Sequence, residues 1–582
     1  MKKRQRALGW VQDAADWRKL KNIVNIFVAD SDVHKRLLEL IPQFDTRINR
    51  DEMLKQLRSV PITIEYDLLK GRGPLPGQTR ATASCSGIAQ AVLPAQNGRP
   101  YQSDWATNSF IVWAIALGLL EYDNVNDTCR LSALGKQFAA CDNDEQTLAI
   151  FKDALLQYPP VSRIITLLHN APNNYLTKFE IGSNFGFIGE DGFTCYSQRF
   201  ILEGIKNCHS TAEINTFLRN TEGTSDKYVR TICSWLIAAG WVQKESKCVQ
   251  DTFNGKVFSY KLNDAYRLTI GGRKIVNTVL GKSRHQRSHK IISYSMLSPK
   301  AADATYLRQR RCNIIRFFLN SWHTAEQCVE HLMKMGINES VNTIIDDLAG
   351  FENIGINISR NQNNQFQIKD NLTICHIPQQ EEQLAAKSDI EQIKDRLRSK
   401  LANIDHRYLF LIDLGFGHGK SVTEAVARNF ELMTADLLVN ELGFNGGRLG
   451  DSRKPDVCVF NNDTGLIIDN KAYSGGYSLP MSQADEMVRY IEENKRRDAT
   501  INPNKWWEVF DDSVSKFFFT FISGQFTGGF VNRLLHIQNR TQVDGSVINT
   551  SNLLLLAENI KSNKISMNEA LNFFGCLNEI II

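Results

Sequence analysis

Two short apolar runs carry the residues whose types and spacing point to chemistry. Lys454-Pro455-Asp456 opens the first, which ends at Phe460, and Asp469-Asn470-Lys471 closes the second, Leu466-Ile467-Ile468. Between them Asn461-Asn462-Asp463-Thr464-Gly465 reads as a turn, so a β-hairpin is expected. Residues two apart on a strand leave the same face, so Asp469 and Lys471 project together and Asn470 points the other way. Asp456 begins the preceding strand, where the hairpin brings its carboxylate beside Asp469. Two converging carboxylates repel each other unless a cation sits between them, and hard oxygen donors suit Mg²⁺. A lysine there makes little structural sense but good sense for phosphodiester hydrolysis. That reaction needs an attacking water held in line, a lowered pKa for it, and positive charge on the phosphorane-like transition state. Asp456 and Asp469 are thus expected to hold metal, and Asp456, Asp469 and Lys471 to be catalytic. Glu431, on the amphipathic stretch Glu424 to Leu442, is either an accessory acid packed against these strands or a solvated helix glutamate.

Pro-Asp, twelve intervening residues and then Asp-x-Lys make the PD-(D/E)xK nuclease signature. Taken alone the pattern is loose; the two strands and the hairpin turn strengthen it. A second motif is discounted. The run from Tyr408 to Ser421 ends in Gly419-Lys420-Ser421 like a phosphate-binding loop, but the position that requires glycine holds Leu414. It reads as a glycine-rich loop between helices.

The chain that must position these groups is 582 residues long, enough for three or four domains. Its 42% hydrophobic and 23% charged residues are those of a globular protein. The longest uncharged apolar run, Phe110 to Leu120, is 11 residues, too short to span a bilayer. The basic start MKKRQRALGW has no apolar stretch behind it, and the twelve cysteines form no C-x-x-C pair. No membrane span, secretion signal or zinc module is expected, and a cytoplasmic location is. Residues 1–380 carry 46 Lys and Arg against 36 Asp and Glu, whereas residues 381–582 carry 22 against 27. A basic front joined to an acidic back suggests a nucleic-acid-binding region carrying a part that is not itself a strong binder.

The front contains a repeat. Trp113-Ala-Ile-Ala-Leu-Gly118 precedes a strand-like LLEY and then Arg130-Leu-Ser-Ala-Leu-Gly135. Trp235-Leu-Ile-Ala-Ala-Gly240 precedes WVQK and then Arg267-Leu-Thr-Ile-Gly-Gly272. Helix, glycine stop, strand, polar hairpin and strand form the plan of a winged helix. A third unit starts near Tyr306 with three helical segments and ends in an Asn-rich hairpin, NISRNQNNQFQI. Residues 378–400 are polar and charged without an apolar face, and read as a linker. The expected architecture is α+β and multidomain. Winged-helix-like DNA-recognition subdomains occupy 1–145, 146–285 and 286–377, the linker 378–400, and an α/β PD-(D/E)xK cleavage domain 401–582.

Beyond the signature, residues 450–456 (GDSRKPD), 467–480 (IIDNKAYSGGYSLP), 483–494 (QADEMVRYIEEN) and 501–510 (INPNKWWEVF) closely resemble the cleavage domain of the FokI-like type IIS restriction endonucleases. Residues 103–122, 176–194 and 224–230 resemble their recognition region. The resemblance implies a Mg²⁺-dependent enzyme that binds a short asymmetric site in double-stranded DNA, of the GGATG type, and cuts both strands to one side of it. It implies cleavage domains that pair transiently as a homodimer on DNA, and a cognate DNA methyltransferase as a separate protein. By matched motif, Arg80, Gln96 and Trp105 in the first unit and Glu222, Lys227 and Arg230 in the second are DNA-binding. Arg and Lys reach guanine O6 and N7, Gln bridges adenine, and Glu accepts from cytosine N4. Asp485 and Arg489 are expected at the dimer interface, although at four residues' spacing they also suit a pair within one helix. Two other readings stand beside this one: a repair or recombination nuclease, and a winged-helix regulator with an inactive nuclease-like dimerisation domain.

Overall fold

Trp113 and Trp235, the tryptophans of the two matched segments, pack on each other in the core with ring centroids 4.6 Å apart. The protein is seen here as a computed structural model describing residues 8–9, 14–79, 82–95, 101–185, 196–253, 255–281, 288–298, 304–378, 389–417, 424–450 and 453–582. In the first unit β1 (Thr63–Glu65), α1 (Asp104–Ala116), β2 (Leu120–Asp123) and β3 (Thr128–Leu131) form a helix and a sheet of order β1-β3-β2. The second unit repeats this with β4 (Tyr175–Thr177), α2 (Gln198–Lys206), α3 (Thr224–Ala238), β5 (Val242–Phe253) and β6 (Lys256–Leu268), in sheet order β4-β6-β5.

The shared motif has a shared geometry. Gly118 and Gly240 end their helices at φ +72° and +75°, backbone that favours glycine. Ser132 and Thr269 then donate their hydroxyls to the Gly118 and Gly240 carbonyls at 2.6 and 2.7 Å. The same two oxygens cap the next helix, accepting from the Gly135 and Gly272 amides at 2.8 and 2.9 Å. A side chain at Gly135 or Gly272 would collide with the carbonyl of Leu119 or Trp241. The repeat read from the sequence is therefore one turn-and-cap device used twice.

The third unit holds β7 (Lys290–Ser293), α4 (Ala304–Phe318), α5 (Ala325–Lys334), α6 (Val341–Asn353), the hairpin β8 (Ile358–Arg360) and β9 (Phe366–Ile368), and β10 (Leu372–Cys375). β10 returns to pair in parallel with β7. The stretch read as linker differs from expectation. Its second half is a helix, α7 (Asp389–Lys400), whose Glu391, Lys394, Leu397 and Arg398 are buried. Ile390, Ile393 and Leu397 form an apolar stripe that packs into the core, and the charges beside it are buried as pairs: Glu391 holds Lys394 and Arg398, each at 2.8 Å, and Lys394 also reaches Asp413 at 3.1 Å. The third unit brings a matching set, Arg310 with Glu339 and Asp347, each at 2.8 Å. His406, beyond α7, reaches back to Asp346 of α6 at 3.0 Å.

The last domain is built on one five-stranded sheet. Its elements are α8 (Glu424–Asp436), β11 (Asn445–Arg448), β12 (Val457–Asn461), β13 (Thr464–Lys471), α9 (Met481–Arg496), β14 (Lys516–Ser523), α10 (Phe530–Thr541), β15 (Gly545–Asn549) and α11 (Thr550–Lys561). The strands lie in numerical order, antiparallel from β11 to β13 and parallel from β13 to β15. β13 is buried along nearly its whole length, Leu466 and Ile468 in one apolar cluster and Ile467 in another, so both sheet faces are covered. The first of these clusters runs on into the second unit: Phe200, Ile201 and Leu202 of α2 belong to the same core as Phe430, Met433 and Leu438. The cleavage sheet is thus docked on the recognition region by an apolar patch at α2 and by buried charge at α7. Among the described residues no helix is long and apolar enough to cross a membrane.

Candidate functional site

The hairpin forms as the sequence requires. Asn462, in the turn between β12 and β13, takes φ +50°, and Val457 stands opposite Ile468. Continuing that antiparallel register outward by one step puts Asp456 beside Asp469. The Asp456 carboxylate accepts from the Asn470 amide at 2.7 Å, and Lys471 Nζ lies 2.8 Å from Asp469 Oδ2. Asn470 turns to the opposite face and donates to Thr434 of α8 at 2.7 Å. The three expected groups converge at the end of β13.

Electrostatics follow from that crowding. Burial, then the Asp469 carboxylate and a hydrogen bond with it, push the Asp456 carboxyl well above its ordinary range; the Glu431 charge adds to this. Burial alone would lower the Lys471 ammonium, but Asp469 and Asp456 outweigh it and raise its pKa. A pair of carboxylates that cannot both ionise freely is a place for a cation. The donors are carboxylate oxygens, which fit Mg²⁺ and not a soft metal.

Glu431 arrives from α8, as expected, but its Oε2 is 2.7 Å from the Arg448 guanidinium at the end of β11. Among the described residues no three His, Cys, Asp or Glu side chains meet in a metal-ligating group. Glu431 stands as a charged neighbour of the aspartate pair, its carboxylate paired with Arg448.

The residues with DNA-binding expectations divide. Arg80 and Gln96 lie outside the described residues. Trp105 stands on the first turn of α1, 46% exposed, at the rim of an open cleft that Arg72 and Tyr101 also line. Glu222 is tied to Lys178 at 2.9 Å and to Arg230 at 3.2 Å, with its own side chain only 9% exposed. Lys227 and Arg230 share the N-terminal half of α3. Glu222 and Arg230 are thus brought together as an ion pair, with Lys178 as an anchor that sequence reasoning missed.

On α9, Asp485 and Arg489 do not meet. Asp485 is 3.1 Å from both His536 and Arg540 of α10, and Arg489 is 3.0 Å from Glu486. Glu486 and Tyr490 were also missed. The Tyr490 hydroxyl donates to the Lys454 carbonyl at 2.8 Å and lies 3.1 Å from Glu486, tying α9 to the turn before Asp456. Both neighbour the singled-out Asp485 and Arg489 in QADEMVRYIEEN, so helical spacing from those residues was the available signal.

Comparison with known proteins covers the whole chain. Models of the FokI recognition domain match subdomain 1 at residues 6–141, subdomain 2 at 147–284 and the D3 domain at 297–363; that of the FokI cleavage domain matches 387–581. The chain is 33% identical to the type II restriction enzyme FokI of Planomicrobium okeanokoites over 583 residues, 98% of each chain. It is 31% identical to the type II restriction enzyme StsI of Streptococcus sanguinis over 576 residues, 97% of this chain and 94% of that one. Among solved structures, restriction endonuclease FokI superposes with TM-score 0.85 and FokI bound to DNA with 0.88. Each is 32% identical and is matched over 99% of this chain and 100% of the other.

Proposed function

The chain belongs to the FokI-like type II restriction endonucleases, site-specific deoxyribonucleases, and we propose that it cuts both DNA strands to one side of a short asymmetric site with Asp456, Asp469 and Lys471 as its catalytic set. The observation that carries this reading is the convergence of those three side chains at the end of β13. Whole-chain identity to two restriction enzymes sets aside the repair-nuclease and inactive-regulator alternatives.

Hydrolysis of one phosphodiester adds water at phosphorus, breaks one P–O bond and moves a proton to the leaving oxygen. Asp456 and Asp469 would supply the oxygen donors that hold Mg²⁺. When bound, the ion acidifies the attacking water and offsets charge on the phosphoryl oxygens. Lys471, a cation held by two carboxylates, is placed to orient the water or to neutralise charge that develops on the phosphoryl group. Arg448 pairs with Glu431 at 2.7 Å and balances the charge of that carboxylate beside the aspartate pair.

Recognition and cutting fall in separate domains, which supports cleavage displaced from the bound sequence. The resemblance of the recognition motifs supports a GGATG-type site, which is the reading we adopt, with Arg80, Gln96, Trp105, Glu222, Lys227 and Arg230 as the proposed contacts. One catalytic set serves one strand, so a transient homodimer through α9 supplies the second. A protecting DNA methyltransferase is expected as a separate protein, and both would act in the cytoplasm. Incubating plasmid with the protein and Mg²⁺ and sequencing the fragment ends tests this: discrete ends at a fixed offset from GGATG support it, and a smear or intact plasmid contradicts it.

A further inference from the structure

Tyr477 is buried to 2%, and its hydroxyl has no hydrogen-bond partner among the described residues. Buried hydroxyls are nearly always bonded, so an orphan beside a functional site points to a partner that arrives with metal, water or substrate. The residue is held firmly. Its amide donates to the Gln525 carbonyl at 2.8 Å, its carbonyl accepts from the Thr527 amide at 2.9 Å, and its ring packs on Tyr473 with centroids 5.0 Å apart. β13 ends with Lys471 paired to Ser523 of β14, and the bridge from Tyr477 to Phe526 continues the same edge. Tyr477 thus belongs to the end of the sheet where Asp469 and Lys471 stand, and it shares an apolar cluster with Ile467, which leaves β13 on the same face as Asp469. Burial first, and the Asp469 carboxylate next, push its hydroxyl well above the ordinary phenol range.

We propose that Tyr477 is a positioning residue for Asp469: its hydroxyl donates to that carboxylate, directly or through one water, when Mg²⁺ occupies the site. The inference rests on the reading of Asp469 as a metal-binding acid. Lys471 lies 2.8 Å from Asp469 Oδ2, and the carboxylate has acceptor sites besides that one. Carboxylates that bind metal are commonly oriented by such outer hydrogen bonds, whose loss weakens metal affinity or activity about 10- to 100-fold.

Tyr477→Phe tests the assignment, because removing an unbonded hydroxyl does not harm the metal-free fold. The measurements are the melting temperature without metal, Mg²⁺ affinity from calorimetry on the whole protein, and cleavage against Mg²⁺ concentration. The expected result is an unchanged or higher melting temperature, about tenfold or greater loss of Mg²⁺ affinity, and cleavage partly restored by excess Mg²⁺. Tyr473→Phe, which alters the same ring pair but removes a hydroxyl from a half-exposed residue, should bind Mg²⁺ like wild type. Equal Mg²⁺ affinity in Tyr477→Phe and wild type overturns the proposal, as does a lowered metal-free melting temperature or an equal loss in both variants. If wild type itself binds no Mg²⁺, the reading of Asp469 fails instead.

Discussion

Asp485 and Arg489 sit one turn apart on α9 yet pair with different partners: Asp485 turns across to His536 and Arg540, and Arg489 back to Glu486. Both stay on the surface, at 51% and 37% side-chain exposure. Any contact they make with a second cleavage domain must therefore compete with pairs inside one chain. Exposed ion pairs contribute only ~0.2–1 kcal/mol each, so the exchange is nearly balanced and the dimer should be weak.

Charge reversal measures this. Asp485→Arg or Arg489→Asp alone should lose double-strand cutting at low enzyme concentration, leaving nicked plasmid, and mixing the two should restore part of it. Arg540→Ala, which releases one internal partner of Asp485, should lower the enzyme concentration needed for double-strand breaks. Wild-type rates from both reversal variants would remove α9 from the dimer surface.

Glu391 should control acid stability. Burial alone would raise its pKa, but Arg398 and Lys394 outweigh this and hold it well below the ordinary 4.5. A lowered folded value means the stabilisation is complete above 4.5 and is lost as pH falls through the folded value. Glu391→Gln should cost about 3 kcal/mol near neutrality by leaving buried cations underpaired, and the two melting curves should converge on acidification. Parallel curves at every pH would show that Glu391 carries none of the effect.

Residues 1–380 alone should bind target duplex with steep salt dependence, because several phosphates are neutralised. Residues 381–582, with more acids than bases, should bind weakly and cut with little sequence preference when concentrated. They should also melt lower than in the whole protein, since separation exposes the cluster shared with Phe200 and Leu202. Footprints that are sequence-specific with the C-terminal fragment alone would reverse this division.

The sequence made the site legible because its signals are local. A turn between two apolar runs fixes a register, and a period of two decides which of Asp469, Asn470 and Lys471 share a face. The repeat was legible for the same reason, since glycine stops and Ser or Thr caps act within a few residues. What escaped were pairings across the fold. Nothing near Glu222 announces Lys178, 44 residues before it, and nothing in Asp485 announces Arg540 on another helix. α7 was read as linker because its many charges masked the stripe of Ile390, Ile393 and Leu397, and because the partners that let Glu391, Lys394 and Arg398 be buried do not show in a local stretch of sequence.

The central claim is that Asp456, Asp469 and Lys471 cut DNA that other domains recognise. The most direct test is a paired measurement on Asp469→Ala: binding to duplex carrying the mapped site, and double-strand cleavage of the same DNA in Mg²⁺. None of the three residues belongs to the recognition subdomains, so binding should stay within about twofold of wild type while cleavage disappears, with Asp456→Ala and Lys471→Ala behaving alike. Substantial Mg²⁺-dependent double-strand cleavage by Asp469→Ala would contradict the account.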